Sequence, residues 1–404
     1  MQTIGIYGGT YNPPHVGHMR AAAHAISTLE LDRLLLIPNG IPPHKKTAVE
    51  SPEGHHRLKM LALSSRGMEK AQVSDLELRR QGKSYTVDTI RALHQMYPED
   101  RLILLMGTDM FLSFLTWYQP DEIMSMAELA VFYRGEKGEQ EAIARQKLEM
   151  ERLGARVHLI SNPVTTISST DLRRMLVFRC ADPFLCPGVG EYIRENGLYG
   201  TGKDYEGLSM DELEETVVSL LKENRVAHVL GCRDSAVELA RRWGADETDA
   251  ARAGLLHDIT KALDGPLQLT LCGEYGILLN KFSQENPKTL HALTGSLVAD
   301  QIFGENEAVV RAIRYHTTGR PDMDLLEKII YIADYIEANR DFPGVHRLRE
   351  AAFRNIDEAL LMGLEMAIAH VKRQGRNWPR RRPTRSVSSG SGASGWIQTN
   401  ETNP

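Results

Sequence analysis

Short apolar runs alternate with helix-length amphipathic stretches over the first 200 residues, and beyond that point strand candidates are almost absent. Thr3–Tyr7, Leu34–Pro38, Arg101–Met106, Leu129–Tyr133 and Val157–Ile160 read as strands, and Met19–Leu29, His55–Ser65, Val87–Met96 and Glu139–Leu153 as the helices between them. Successive parallel strands need a crossover, and a helix supplies it. The alternation therefore predicts an α/β domain, a parallel sheet with helices on both faces and a ligand site at the carboxyl ends of its strands. Tyr199-Gly200-Thr201-Gly202 breaks the pattern and reads as a linker. Ser209-Met-Asp-Glu212 then opens a helix with a capping box, and helical periodicity continues to about residue 375, which predicts an all-α second domain.

The chain of 404 residues is long enough for two domains, and the expected division is 1–200 and 205–375. Residues 376–404 carry Arg380-Arg-Arg-Pro-Thr-Arg and a Ser/Gly run, too poor in apolar side chains to offset ordering entropy, and are expected to be a disordered tail. A net charge of −5 argues against nucleic acid as a partner. The opening MQTIGIYGGT lacks the basic and apolar regions of a secretory signal, and no run of 18 apolar residues marks a membrane span. The four cysteines include no CxxC pair, which fits a reducing cytoplasm and excludes a thiolate zinc site. The oligomeric state stays open, a homo-oligomer included.

Two segments carry the chemistry of the first domain. Gly8-Gly9-Thr10-Tyr11-Asn12-Pro13-Pro14-His15-Val16-Gly17-His18 follows the first strand and opens a helix. Glycines let backbone N–H groups approach an anion, the helix N-terminus favours one, and His15 and His18 can donate to a phosphate. Ile167-Ser168-Ser169-Thr170-Asp171-Leu172-Arg173 follows the last strand, with its hydroxyls placed to cap a helix and Arg173 able to reach the same phosphates bidentately.

Together these segments resemble the nucleotidyltransferase superfamily of the HxGH and ISSTxxR type, a Rossmann-like fold. The likeness extends to the nicotinate-nucleotide adenylyltransferases through Pro43-His44-Lys45, Ser84-Tyr85-Thr86, Gly107-Thr108-Asp109 and Trp117-Tyr118. Tyr11 stands where that family usually has Phe. The resemblance implies adenylyl transfer: the phosphate of nicotinate mononucleotide attacks the α-phosphorus of ATP and pyrophosphate leaves, with Mg²⁺ bridging the phosphates. It implies His15, His18, Arg173 and Lys45 on the ATP phosphates. Gly8, Gly9, Thr10, Asp109, Ile167, Ser168, Ser169 and Thr170 would surround the nucleotide, and Tyr85, Thr86 and Trp117 the nicotinate end. Phosphopantetheine adenylyltransferase is the alternative within the fold, against which Trp117-Tyr118 and the domain length argue.

The helical half holds a second series: His228, His257-Asp258, His291, His316 and Asp334. Asp334 lies inside Ile329-Ile-Tyr-Ile-Ala-Asp-Tyr-Ile, where a carboxylate is costly unless paired or metal-bound. Imidazoles with carboxylates suit a first-row divalent metal. His346 and His370 read as ordinary histidines. The series is similar to the HD-domain phosphohydrolases, in particular the branch that cleaves diadenosine tetraphosphate symmetrically to two ADP. That resemblance implies His228, His257, Asp258 and Asp334 as metal ligands, His291 and His316 at a second metal or on phosphate, and Lys261 and Arg340 as phosphate contacts. It implies iron (Fe²⁺/Fe³⁺), for which Mn²⁺ is an allowed substitute. A different nucleotide substrate, or a nucleotide sensor without turnover, remain alternatives for this half.

Overall fold

The computed structural model describes residues 1–40, 51–133, 138–161, 167–279, 281, 284 and 287–373. The segment containing Lys45 and the stretch 376–404 lie outside them.

Six strands form one all-parallel sheet: β1 (Thr3–Gly9), β2 (Arg33–Pro38), β3 (Ala71–Val73), β4 (Arg101–Gly107), β5 (Glu128–Tyr133) and β6 (Val157–Ser161), in the order β3-β2-β1-β4-β5-β6. The edge strand β3 is the one that periodicity missed, since three half-buried residues carry too little pattern to read. Sequence neighbours part at β1 and β4, where Tyr7 pairs with both Leu36 and Leu105. This is the topological switch point at which such sheets bind ligands.

Alternate side chains of each strand go to opposite faces, so the sheet serves two cores. Ile4, Ile6, Leu35, Leu104 and Val131 join one with α3 (Thr86–Met96) and α6 (Glu139–Arg152). Leu34, Leu36, Ile103, Leu105 and Ile160 join the other with α1 (Val16–Thr28), α2 (Gly54–Ser64) and α7 (Ser169–Val177). A Cβ on Gly5 would lie 2.5 Å from Leu31 Cδ1, so only glycine lets the chain pack so closely there.

The second core does not stop at the sheet. It continues through Leu172, Leu176 and Tyr199 into Leu213, Val229, Leu255, Ile313 and Ile330 of the helical half. That half comprises α9 (Met210–Leu220), α10 (Glu223–Trp243), α11 (Glu247–Leu256), α12 (Gly265–Glu274), α13 (Leu290–Gln301), α14 (Glu307–Tyr315), α15 (Leu325–Ile336), α16 (Val345–Arg354) and α17 (Ile356–Arg373), with α8 (Val189–Glu195) leading to it. The capping box at Ser209 and Glu212 forms as its spacing predicts. No helix among the described residues is long and apolar enough to cross a membrane, and the four cysteines are free and buried.

The expected linker is corrected by the structure. Leu198–Gly200 form a short helical turn with Tyr199 only 4% exposed, because that ring completes the shared core. Polar bonds also cross the junction. Buried Arg174 on α7 donates from Nε to Leu220 O at 2.6 Å and from Nη2 to Leu221 O at 3.2 Å, and Tyr275 OH donates to Phe178 O at 3.0 Å. Truncation by Arg174→Ala would leave two carbonyls and the Asp171 carboxylate without that partner. It is expected to cost about 3 kcal/mol in a thermal or urea melt. A loss below about 0.5 kcal/mol would mean that apolar contact alone holds the junction.

Candidate functional site

The first site is built at the carboxyl edge of β1. A Cβ on Gly9 would press on the Tyr11 ring at 3.3 Å, whereas one on Gly8 would meet no protein atom within 4 Å. Packing therefore explains Gly9, and Gly8 leaves backbone open to close approach. The chain turns through Thr10–Pro14 into α1, whose N-cap is His15. Buried Tyr11 donates from its hydroxyl to Tyr7 O at 2.8 Å, and its ring meets His18 edge-on at 5.1 Å. The phenol thus keeps the packing role of the family's phenylalanine and adds a tether.

The His15 and His18 rings lie 3.7 Å apart. Burial lowers the pKa of His15 to about 4, and burial plus the neighbouring imidazole lowers His18 well below its ordinary value. Both are neutral at pH 7. The His15 N–H donates to His18 Nδ1 at 3.2 Å, so the hydrogen of the neutral His18 ring sits on Nε2, available to an acceptor.

The second segment closes on the first. Ser168 caps α7 by accepting from Asp171 N at 3.1 Å, Ser169 Oγ donates to Pro13 O at 3.1 Å, and Ile167 is buried beneath. Arg173 donates from Nη1 to Asn12 O at 2.7 Å and from Nη2 to Thr170 Oγ1 at 3.1 Å. One of its donors stitches α7 to the loop and another bonds within α7, on the side of the loop where an anion would sit. What results is one cradle made of the α1 and α7 N-termini, both favourable to negative charge.

The remaining expected residues lie on the same edge of the sheet, because helices that follow or precede parallel strands start there. Asp109 is exposed, second in α4 (Thr108–Leu112) just after β4. Tyr85 is the N-cap of α3 and Thr86 its first residue. The Tyr85 ring meets that of Tyr118, 5.0 Å away and 55% exposed, whereas Trp117 is half-buried against Phe114 at 5.1 Å. The resemblance includes Trp117-Tyr118 but implies a nicotinate contact for Trp117 alone. Sequence reasoning missed Arg57, 6% exposed, which donates to Thr10 O at 2.9 Å and braces the loop from α2. A buried arginine reached from a distant helix leaves no local pattern to read.

The second site gathers side chains from five places in the helical half: His228 on α10, His257 and Asp258 just after α11, His291 on α13, His316 just after α14, and Asp334 on α15. His228 Nε2 lies 3.3 Å from His257 Nε2, 3.8 Å from Asp258 Oδ2 and 3.2 Å from Asp334 Oδ1. Asp258 Oδ1 lies 3.3 Å from His291 Nε2 and 3.7 Å from His316 Nε2. Two ligand groups, His228/His257/Asp258 and Asp258/His291/His316, therefore share one carboxylate.

The tautomers follow from the outer contacts. His257 Nδ1 donates to Gly254 O at 2.7 Å, His316 Nδ1 to Ile313 O at 2.6 Å, and His228 Nδ1 to Glu337 Oε1 at 3.1 Å. Each ring then turns an Nε2 lone pair inward. Burial keeps His257 well below its ordinary pKa and brings His316 to about 4, so both are neutral. Converging lone pairs repel one another unless a cation lies among them, and His316 Nε2 and Asp258 Oδ1 are buried without a hydrogen-bond partner. The donor set fits a divalent metal. Burial alone would raise the pKa of Asp334, but the Arg340 guanidinium paired with it helps to bring it well below the carboxylate range.

The two expected phosphate contacts both lie at the cluster. Arg340 pairs with Asp334, donating to its carboxylate and from Nε to its carbonyl at 2.8 Å. Lys261 Nζ stands 2.9 Å from His291 Nε2 and 3.9 Å from Asp258 Oδ1, at the rim of the cluster. Arg225, which pairs with Asp258, and Glu337 were both missed. Glu337 is 1% exposed, and its Oε2 accepts from Asn339 N at 2.7 Å while Oε1 accepts from His228. Glu337→Gln is expected to weaken metal binding about 10–100-fold by equilibrium dialysis, with ring orientation rather than a ligand lost. Unchanged affinity would show that His228 needs no such partner. His346 and His370 are exposed on the surface.

Residues 6–175 match the family model described as cytidylyltransferase-like, and residues 225–339 that of the HD domain. A protein of Oceanobacillus iheyensis named "Probable nicotinate-nucleotide adenylyltransferase" is 34% identical over 205 residues, 50% of this chain and 100% of its own. A protein of the same name from Desulfitobacterium hafniense is 35% identical over 48% of this chain and 95% of its own. Among solved structures, a "predicted HD superfamily hydrolase involved in NAD metabolism" from Clostridium acetobutylicum is 42% identical over 43% of this chain and 92% of its own, with a TM-score of 0.41. The Plasmodium falciparum nicotinic acid mononucleotide adenylyltransferase complexed with NaAD is 20% identical over 50% of this chain and 98% of its own, with a TM-score of 0.42.

Proposed function

Because the chain belongs, over its first half, to the nicotinate-nucleotide adenylyltransferase family, we propose that this half transfers the adenylyl group of ATP to nicotinate mononucleotide. The observation that carries the reading is the cradle in which the His15–His18 loop and the Ser168–Arg173 helix start are stitched together at the switch point. A phosphate oxygen of nicotinate mononucleotide bonds to the α-phosphorus of ATP. The bond from that phosphorus to the bridging oxygen breaks, and pyrophosphate departs with the electron pair. No side-chain nucleophile is required; the chain's part is to orient the phosphates and offset their charge. His18 Nε2–H, the open backbone at Gly8 and the uncapped N–H groups of α7 supply donors, and Arg173 supplies the charge. Mg²⁺ would arrive on the ATP phosphates and neutralise them. Asp109 at the end of β4 would face the nucleotide, and Tyr85, Thr86 and Trp117 the nicotinate end, with Tyr118 beside Tyr85.

The helical half is proposed to be a phosphohydrolase that cleaves diadenosine tetraphosphate symmetrically to two ADP. A divalent metal would be held by His228, His257, Asp258 and Asp334, with His291 and His316 offering a second position, and would supply Lewis-acid charge neutralisation and an activated water. Lys261 at the rim would steady a phosphate. The full convergence of inward lone pairs favours turnover over a sensor that has lost its ligands.

Product analysis tests both halves. With ATP and nicotinate mononucleotide the protein is expected to form deamido-NAD and pyrophosphate, and a preference for nicotinamide mononucleotide would overturn the substrate assignment. With diadenosine tetraphosphate and Fe²⁺ or Mn²⁺ it is expected to form ADP alone. ATP plus AMP would place the attack on another phosphorus, and no turnover would refute the hydrolase assignment.

A further inference from the structure

We propose that Tyr199 is a positioning residue of the phosphate cradle, acting through Asn12 on Arg173. The proposal rests on the reading of that cradle as the ATP site.

Tyr199 occupies the left-handed region (φ 56°, ψ 32°) inside the Leu198–Gly200 turn. Glycine is the ordinary occupant of such a conformation, and an L side chain there is strained. What the side chain contributes is visible. It is 4% exposed, and its hydroxyl donates to Asn12 Oδ1 at 2.8 Å across 187 positions of sequence. Asn12 is itself buried and joins three segments. Its Oδ1 takes the Tyr199 hydroxyl, its Nδ2 donates to Ser51 Oγ at 3.0 Å, and its main-chain carbonyl accepts from Arg173 Nη1 at 2.7 Å. The Tyr199 hydroxyl thus fixes the amide that sets the carbonyl that aims the guanidinium. The helical half holds Tyr199 in turn. Tyr205 OH donates to the carbonyl of the next residue, Gly200, at 3.2 Å, and the Tyr205 ring packs edge-on against Phe303 at 5.8 Å. The end of the first domain is therefore a structural part of its phosphate loop.

The test is Tyr199→Phe in the full chain, which removes one oxygen and keeps the ring. Asn12 Oδ1 would be left buried without its donor, a defect that corresponds to about a tenfold effect. Binding of a non-hydrolysable ATP analogue is expected to weaken by about that factor, and the KM for ATP to rise with it. The KM for nicotinate mononucleotide should stay at its wild-type value, and the melting temperature should fall by no more than the loss of one buried hydrogen bond accounts for. Analogue binding equal to that of wild type would overturn the proposal. A lowered melting temperature with both KM values shifted together would do so too, since Tyr199 would then be a prop for the fold. Tyr199→Leu, which removes the ring as well, should lower the melting temperature further than Phe does, and equal melting for the two variants would contradict the division between ring and hydroxyl. Wild-type protein that binds the analogue yet forms no deamido-NAD would defeat the adenylyl-transfer reading and leave the binding result for Tyr199 to stand.

Discussion

Asp258→Ala is expected to lower phosphohydrolase turnover by about a thousandfold or more while adenylyl transfer continues at its wild-type rate. Asp258 is the one carboxylate common to both ligand groups and is 1% exposed. Its removal strands the Arg225 guanidinium and leaves imidazoles with no shared anion to offset a divalent charge. Metal content should fall in parallel, which elemental analysis of purified protein measures. Asp258→Asn provides the control for shape: it keeps the volume, loses the charge, and should lose the metal equally. Retention of metal and turnover in both variants would remove Asp258 from the site. A parallel loss of transferase activity with an unchanged melting temperature would show that the two sites communicate across their shared core.

The converse variant, His18→Ala, should lower kcat/KM for ATP by about 10²–10³-fold and leave hydrolysis untouched. The expectation rests on the tautomer. Nδ1 of His18 is taken by the His15 main-chain N–H, so Nε2 carries the ring hydrogen, and alanine removes that donor without replacement. Steady-state kinetics with ATP varied checks the size of the loss. A loss confined to the KM for nicotinate mononucleotide would mean that His18 serves the other substrate.

Much of this was legible before folding is considered. The strand–helix alternation sufficed for the parallel sheet, because period-2 and period-3.6 patterns are local. The loop Gly8–His18, the segment Ile167–Arg173 and the series from His228 to Asp334 each stand out because unusual residue types cluster in a short stretch or interrupt an apolar one. Arg57 and Arg225 did not stand out, and Glu337, Tyr118 and Tyr199 drew no role of their own, since none has a neighbourhood that points to one. Their roles come from partners at sequence separations as large as 187 residues, as between Tyr199 and Asn12, which no local pattern encodes.

The linker and Arg340 teach the same lesson from the other side. Gly-rich Tyr199–Gly202 has the composition of a flexible connection, yet the tyrosine ring is needed to complete a core that runs through both halves. Arg340 has the charge to meet a phosphate, and the fold also pairs it with the Asp334 carboxylate. The sequence by itself determined which chemistries the chain could host, because ligand type, glycine placement and hydrophobic period are properties of residues. Only the tertiary structure decided which of those residues share a site and which way their rings face, and that two expected domains are fused through one core. Those outcomes depend on burial and on the competition among distant hydrogen-bond partners, quantities that exist only once the chain has closed on itself.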